Sequence, residues 1–348
     1  MASLDLILKG IKLCQQNQCS SAKAKFLAVL KTDPDSIIAI RHLTEAALHM
    51  GDSQQVIPHI HTCMQYHPDS IILHQLLGVV YQQNKQLPKA VEYYRTALSL
   101  LLTTQFKPSK PAAKANFDQS LYEATLWQTL HLFRHNNLRS FATSGTLLGL
   151  TRDKCLLPFD KDIDIGIDWG QMPQAIKLLK QNGWQEHKRS YDLINPRCFM
   201  HNNGVILDLC GYGVDQTNGQ TIAGLWMAGI PFEWNRVTVY PKIDLVDKQT
   251  EFGSVWHPAQ PEAILQALYG QWKIKDVNFD TIICAKNLQG FSLLTQCFAY
   301  SRICVLWQQH RWAKLIPLVE QVRRFTPSDQ LFVKLEKQLQ MELQHETQ

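Results

Sequence analysis

A 34-residue repeat fills the first third of the chain and constrains its fold more than any other feature. The segment PDSII occurs at residues 34–38 and again at residues 68–72. With repeat starts at residues 3, 37 and 71, three sets of positions recur in register: Gly10, Thr44 and Gly78; Phe26, Ile60 and Tyr94; Val29, Cys63 and Ala97. This period predicts stacked helix pairs, because one pair alone cannot bury its apolar face.

The period and its alternation of small and large residues resemble the tetratricopeptide repeat, and residues 71–100 are the clearest copy. We therefore expect a tetratricopeptide-like array of helices over residues 1–104. Arrays of this kind bind a protein partner, associate with a second copy of the chain, or brace a neighbouring domain. The sequence leaves these roles open.

The rest of the chain divides into three segments. Two prolines in residues 103–117 break the period and predict a linker at residues 105–119. Helical and strand patterns alternate over residues 120–280, which predicts a catalytic domain of the α/β or α+β type. Helical periodicity returns over residues 281–348, which we expect to form a C-terminal helical region.

Aspartates recur at every second position of an apolar segment, PFDKDIDIGID at residues 158–168. In a strand, Asp160, Asp162 and Asp164 share one face and the isoleucines take the other. A charged edge strand is one explanation, although lysine or mixed charges are more usual there. The alternative is a cation site, because carboxylates spaced along a strand can share a magnesium ion.

Two flanking segments favour the cation site. Upstream, Gly145 allows close approach of the backbone, and Thr146 can cap a helix whose free N–H groups bind anions. Downstream, Asp208 lies within the apolar segment VILDLCG, where a carboxylate is costly unless it is paired or bound to a metal. A metal, a phosphate-binding turn and a third carboxylate are the requirements of phosphoryl or nucleotidyl transfer.

These residues resemble the signature of the LicD/fukutin family of phosphotransferases, which have a nucleotidyltransferase fold. The resemblance rests on GTLLGLTRDKCLLPFDKDIDIGID at residues 145–168 and on FGSVWHPAQPEAILQALYGQWK at residues 252–273, and it spans residues 138–280. It implies a nucleotidyltransferase-fold mixed-sheet domain. Together with the repeat and the C-terminal periodicity, we expect an α+β multidomain protein with an N-terminal α-solenoid, this domain, and C-terminal helices.

The resemblance also implies a reaction and a set of site residues. A phosphate-linked group, such as phosphocholine or ribitol phosphate, would pass from a CDP-activated donor to a hydroxyl of a glycan or a lipid-linked glycan precursor. Asp160, Asp162, Asp164 and Asp208 would hold Mg²⁺, or alternatively Mn²⁺, and the last three would be catalytic. Gly145, Thr146 and Arg152 would border the donor's phosphates, with Arg152 alternatively supporting the aspartate loop.

The remaining sequence features indicate the partners and the cellular location that we expect for the protein. A net charge of +5 is too small to indicate a nucleic-acid partner. The nine cysteines form no CxxC pair, which favours reduced thiols inside a cell. No secretory signal and no apolar run of about 18 residues is found, so we expect a cytoplasmic protein without a transmembrane segment. The amphipathic residues 307–325 offer one route to the inner face of the membrane, and a helical bundle is the alternative.

Two other functions stay open at this point. One is a tetratricopeptide scaffold that carries an inactive nucleotidyltransferase domain. The other is a nucleotide-sugar glycosyltransferase, since an Asp-x-Asp segment also serves that class. We further note Trp256, Tyr269 and Trp272, which could stack on a base or sugar or could belong to the core.

Overall fold

The computed structural model of the protein describes residues 2–104, 118–158, 160–187 and 191–346. The linker predicted at residues 105–119 lies almost wholly outside the described residues. The described residues of Met1–Pro111 and Leu293–Gln348 form one compact unit, and those of Ala112–Ser292 form the other. Of the helices within these ranges, none combines the length and the apolar character needed to cross a bilayer.

The N-terminal residues fold into three helix pairs. They comprise α1 (Ala2–Gln15), α2 (Cys19–Thr32), α3 (Ile37–Met50), α4 (Ile57–Tyr66), α5 (Ile71–Gln83) and α6 (Leu87–Leu101). Phe26 and Tyr94 are fully buried, and each packs against a glycine of the preceding helix. A Cβ on Gly10 would lie 2.5 Å from the Phe26 ring, and one on Gly78 would lie 2.6 Å from the Tyr94 ring. The predicted tetratricopeptide-like array is confirmed.

The second unit is a mixed sheet with helices on both faces. Its elements are α7 (Gln119–His135), β1 (Ser140–Ala142), α8 (Ser144–Leu148), β2 (Ile163–Asp168), α9 (Met172–Gln181), β3 (Trp184–His187), β4 (Leu193–Asn195), β5 (Arg197–His201), β6 (Ile206–Val214), β7 (Thr221–Met227), β8 (Arg236–Tyr240), β9 (Leu245–Thr250), β10 (Gly253–Pro258) and α10 (Pro261–Tyr269).

The central strands run in the order β1-β2-β6-β5-β3, and β7 links β4, β6 and β8 to the same sheet. Among the described pairs of this sheet, β2 and β6 are parallel and the others antiparallel, while β9 and β10 form a separate hairpin. This mixed sheet is the catalytic fold that the sequence predicts.

Two apolar clusters cover the two faces of this sheet. On one face, the isoleucines of β2 pack with α7 and α9; this cluster includes Ile163, Ile165, Ile167, Leu126, Leu130, Met172 and Leu179. On the other face, α8 and α10 cover Phe141 and Tyr212; this cluster includes Leu147, Leu148, Leu265 and Leu268. The alternation of β2 therefore places its isoleucines in one core and leaves its aspartates on the opposite face.

The C-terminal helices extend the repeat array. They are α11 (Leu293–Gln308), α12 (Trp312–Phe325) and α13 (Gln330–Glu346), and α11 packs against α6 of the third pair. Each of the four helix pairs in the described residues turns through a residue with a left-handed backbone: Asn17, Gly51, Lys85 and His310, with φ of 59°, 76°, 63° and 52°.

The hydrogen bonds of these turns also match. The N–H one residue after the left-handed position donates to a carbonyl five residues earlier, as in a Schellman turn. The pairs are Gln18 to Leu13 (2.9 Å), Asp52 to Ala47 (3.1 Å), Gln86 to Tyr81 (2.9 Å) and Arg311 to Leu306 (2.9 Å). Helices α11 and α12 thus form a fourth pair, and the mixed-sheet unit lies between the third and fourth pairs in the chain. The predicted fold class, with solenoid, mixed sheet and C-terminal helices, is confirmed.

Candidate active site

Two aspartates stand side by side on the central parallel strands. Strands β2 and β6 are in register at Asp164 and Asp208. Because neighbouring strands lie about 4.8 Å apart, the two side chains emerge next to each other on the same face. Asp208 is buried, with 6% of its surface exposed. The sequence predicted both residues for one site, and the register of the strands brings them together.

Asp160 and Asp162 lie on the loop that leads into β2, and their charges act on the strand residues. Burial and the neighbouring charge of Asp162 raise the pKa of Asp160 to about 7. Burial, then the charges of Asp162, Asp208 and Asp160, hold the pKa of Asp164 well above its usual range. All four predicted acids therefore belong to one electrostatic cluster.

The short helix α8 and the residue before it support this cluster. The Asp164 N–H donates to Thr146 Oγ1 at 2.8 Å, and the Thr143 N–H donates to the Asp164 carbonyl at 3.1 Å. The backbone amide of Gly145 donates to the Asp164 carboxylate, which lowers the pKa of that group against the larger opposing effects. These contacts fix the acid strand, whereas a phosphate-binding role for Gly145 and Thr146 stays a prediction.

The absence of a side chain at Gly145 makes room for Asp160. A Cβ built on Gly145 would lie 2.7 Å from Asp160 Oδ2. That oxygen is buried, and within the described residues it accepts no hydrogen bond. Lys161, the residue between Asp160 and Asp162, is exposed.

The chemistry of these side chains fits a hard divalent cation. All four donors are carboxylates, and within the described part of the chain the buried Asp160 Oδ2 accepts no hydrogen bond. In the described ranges, no three His, Cys, Asp or Glu side chains converge as a ready-made metal site. Magnesium suits such a site, since it is usually held by one or two carboxylates together with waters and substrate phosphates. Asp162 and Asp164 would hold it, with Asp160 and Asp208 beside them.

The described hydrogen bonds of Arg152 are to groups outside the cluster of four aspartates. Its guanidinium donates to Asp153 through Nε and Nη2, at 3.1 and 3.0 Å, and through Nη1 to the Trp272 carbonyl at 3.3 Å. This geometry ties the turn after α8 to the chain after α10. Of the two roles predicted for Arg152, these contacts are those of structural support.

Two tyrosines near the acids were not predicted as site residues. Burial, then the charge of Asp164, raises the pKa of Tyr269 well above its usual range. Burial and the charge of Asp162 raise the pKa of Tyr122. Tyr269 lies in the Tyr-Gly-x-Trp segment, which in the sequence suggested only stacking or core packing. Tyr122 lies in an ordinary helical pattern and gives no signal. By contrast, Trp272 is a core residue, and Trp256 packs under Arg134, whose guanidinium lies 3.9 Å from the ring centre.

The fold and this acid cluster together define a nucleotidyltransferase-type domain. Residues 137–257 match the family model described as LicD/FKTN/FKRP, nucleotidyltransferase domain. The resemblance to the LicD/fukutin family is thereby confirmed for this segment, which contains β1, α8, β2 and β6 and hence all four acids.

Curated relatives match over a shorter stretch. The uncharacterized protein RT0683 of Rickettsia typhi (strain ATCC VR-144 / Wilmington) is 37% identical over 83 residues, 23% of this chain and 26% of that one. The uncharacterized protein RP689 of Rickettsia prowazekii (strain Madrid E) is 35% identical over 83 residues, 23% of this chain and 31% of that one. The match thus spans about a quarter to a third of each relative's length.

Among solved structures, the lincosamide antibiotic adenylyltransferase LnuA, determined with lincomycin bound, is similar to this chain. The sequence identity is 16% and the TM-score is 0.32, and the alignment covers 44% of this chain and 89% of that one.

Proposed function

We propose that the protein transfers a phosphate-linked group, such as phosphocholine or ribitol phosphate, from a CDP-activated donor to a hydroxyl of a glycan or glycan precursor. The observation that carries this proposal is the in-register pair Asp164 and Asp208 on one sheet face, next to Asp160 and Asp162 on the loop before β2. The LicD match over residues 137–257 supports the same class of reaction.

Three of the four acids have a direct part in this reaction. A bound magnesium ion would neutralise the donor's diphosphate and favour attack at phosphorus. Asp162 and Asp164 would hold that ion. Asp208 would accept the proton of the acceptor hydroxyl while the hydroxyl oxygen forms a bond to the donor phosphorus that carries the transferred group. The bond from that phosphorus to the bridging oxygen breaks, and CMP leaves.

The backbone contacts around Asp164 explain how the chain would keep this geometry. Thr146 and Thr143 hold Asp164 from both sides of its peptide, and the sheet register fixes its distance from Asp208. Acids held in this way would need little reorganisation when the substrate binds. Such preorganisation is the main source of electrostatic catalysis.

Calorimetric titration with CTP, CDP-choline and CDP-ribitol, with and without Mg²⁺, tests the proposal. We expect magnesium-dependent binding by the wild type and a loss of at least about tenfold in affinity for Asp162→Asn/Asp164→Asn. Asp168→Asn is the matched control. Asp168 lies on the same strand but is exposed, and it accepts only the Gly170 N–H at 2.9 Å among its described contacts.

Other outcomes would redirect the assignment. Binding of UDP-sugars in preference to cytidine nucleotides would favour a glycosyltransferase. No nucleotide binding by the folded protein under any of these conditions would favour a scaffold with an inactive domain.

A further inference from the structure

We propose that the first turns of α7 position the metal-binding loop, with Glu123 holding the start of that loop and Tyr122 holding its end. Both are positioning residues, since the hydrogen bonds that carry this proposal are to the loop backbone. The inference rests on the proposed function, because it concerns the loop that carries Asp160 and Asp162.

The loop needs such support because its described residues, 155–158 and 160–162, lie outside regular secondary structure. They fall between the π-helical turn Gly149–Asp153 and the start of β2. Asp164 and Asp208 are fixed by the hydrogen bonds of the sheet, but Asp160 and Asp162 precede the strand. A local bond from the Asp160 N–H to the Leu157 carbonyl, at 3.1 Å, turns the chain without fixing it to the domain.

Glu123 anchors the start of this loop. The N–H of Leu156 donates to Glu123 Oε1 at 2.9 Å, and Gln119 Nε2 donates to the same oxygen at 3.1 Å. A hydrogen bond to a carboxylate is stronger than one between neutral groups. The Leu156 side chain is buried in the same apolar cluster as Leu126 of α7. The polar and apolar contacts therefore tie this peptide to the same helix.

Tyr122 anchors the end of the loop. Its hydroxyl donates to the carbonyl of Lys161 at 3.3 Å, and Lys161 is the residue between Asp160 and Asp162. The ring packs against the cluster that contains the isoleucines of β2. The phenol thus holds the peptide that sets the direction of both carboxylates.

Groups that orient metal ligands from behind change metal affinity when they are removed, typically by about 10- to 100-fold. We therefore expect Tyr122→Phe and Glu123→Ala each to weaken metal binding by about tenfold. Glu123→Gln keeps a carbonyl oxygen that can accept the Leu156 N–H, so this variant should lie within about threefold of the wild type.

The experiment measures Mn²⁺ binding to the full chain by electron paramagnetic resonance of the free ion, with Mn²⁺ alone as the probe. The variants are Tyr122→Phe, Glu123→Ala and Glu123→Gln, and Tyr66→Phe, in an exposed side chain of α4, is the control. Thermal unfolding of each variant shows whether the domain is intact. If Glu123→Ala fails to fold, Tyr122→Phe and Glu123→Gln still decide the question.

The outcomes separate this inference from the proposed function. Weaker Mn²⁺ binding by Tyr122→Phe and Glu123→Ala, with rescue in Glu123→Gln, supports it. Unchanged binding in folded variants overturns it and leaves the metal site in place. Equal damage in Glu123→Gln and Glu123→Ala overturns the assigned hydrogen bond. A wild type that binds no Mn²⁺ overturns both the metal site and its positioning.

Discussion

At the scale of single residues, Asp160 retains a proton at pH values where an ordinary aspartate is ionised. Burial and the charge of Asp162 raise the pKa of Asp160 to about 7, whereas the unfolded chain restores the usual value of 3.8. Between these two values the folded state binds one proton more than the unfolded state. Its free energy of unfolding therefore falls as the pH rises from about 4 to about 7.

This leads to a prediction for the metal-free protein. In EDTA, Asp160→Asn should remove a loss of stability on the order of 4 kcal/mol between pH 4 and pH 7.5, since about three pH units separate the two pKa values and each corresponds to about 1.4 kcal/mol. Chemical denaturation of the wild type and the variant at both pH values measures the difference. Asp168→Asn, at the exposed last residue of β2, should keep the slope of the wild type. A slope that persists in Asp160→Asn would contradict the assignment.

The same residues show how far the sequence could predict the site. The alternating pattern grouped Asp160, Asp162 and Asp164, but the prediction that all three lie on one strand was wrong, because β2 begins at Ile163 and only Asp164 belongs to it. An aspartate in an apolar segment was enough to add Asp208. The sequence does not explain why residue 145 must be glycine. A Cβ at this position would contact Asp160, and the two residues come together only when the turn and the loop fold against each other. Tyr122 and Glu123 were missed for the same reason, since their partners are backbone groups more than thirty residues away.

At the scale of helices, the tetratricopeptide-like pairs depend on small residues that face large ones. Alanine normally stabilises a helix relative to glycine by about 1 kcal/mol. At Gly78 we expect the opposite sign, because the added Cβ would lie 2.6 Å from the Tyr94 ring. Gly78→Ala should cost about 2 kcal/mol of unfolding free energy by overpacking, as measured by chemical denaturation.

Second variants at Tyr94 check this cause. In the Gly78→Ala background, Tyr94→Leu should cost less than it does in the wild type, since the ring that clashes is gone. Tyr94→Phe keeps the ring and loses the hydroxyl bond to Gln82 Oε1, at 3.0 Å. It should therefore give no rescue. Equal effects of Tyr94→Leu in both backgrounds would show that the contact is not the cause.

The fourth helix pair shows why an element can be invisible in the sequence. Its turn repeats the backbone of the first three, but the small and large positions are filled differently. Ile303 stands where Thr44 and Gly78 lie, and Leu315 stands where Ala90 lies. Without the small residues the period cannot be read, although aliphatic residues of intermediate size pack the pair equally well.

At the scale of the whole chain, the mixed-sheet unit is inserted between the third and fourth helix pairs. The unit formed by residues on both sides of this insertion must therefore be held by contacts between distant parts of the sequence. The sequence patterns divide the chain into successive segments. They do not predict that its two ends form one unit, because that unit depends on the packing of α11 against α6, which lie far apart in the sequence. The C-terminal helices were predicted correctly, although they begin at Leu293, but their partner was not predicted.

One ion pair joins α6 to the residue before α13 and so contributes to the stability of the closed array. Arg95 of α6 donates through Nη1 and Nη2 to the Asp329 carboxylate, at 2.6 and 3.2 Å, across 234 residues of sequence. The hydrogen bonds from Arg95 lower the pKa of Asp329, so the pair stabilises the fold above the unfolded pKa of 3.8 and is lost as the pH falls through the folded value. Because 37% of the Arg95 side chain is exposed, solvent screening limits its contribution.

A double-mutant cycle with Arg95→Gln and Asp329→Asn should give a coupling energy of about 1 kcal/mol at pH 7 and less at pH 3. Asparagine keeps an oxygen for the Leu331 N–H, which donates to Asp329 Oδ1 at 3.1 Å, so the start of α13 is preserved. The exposed pair Asp5 and Lys9, within α1, serves as the control and should give at most about 0.5 kcal/mol. A coupling for Arg95 and Asp329 no larger than this control would mean that the apolar contact of α11 with α6 closes the array without help from the ion pair.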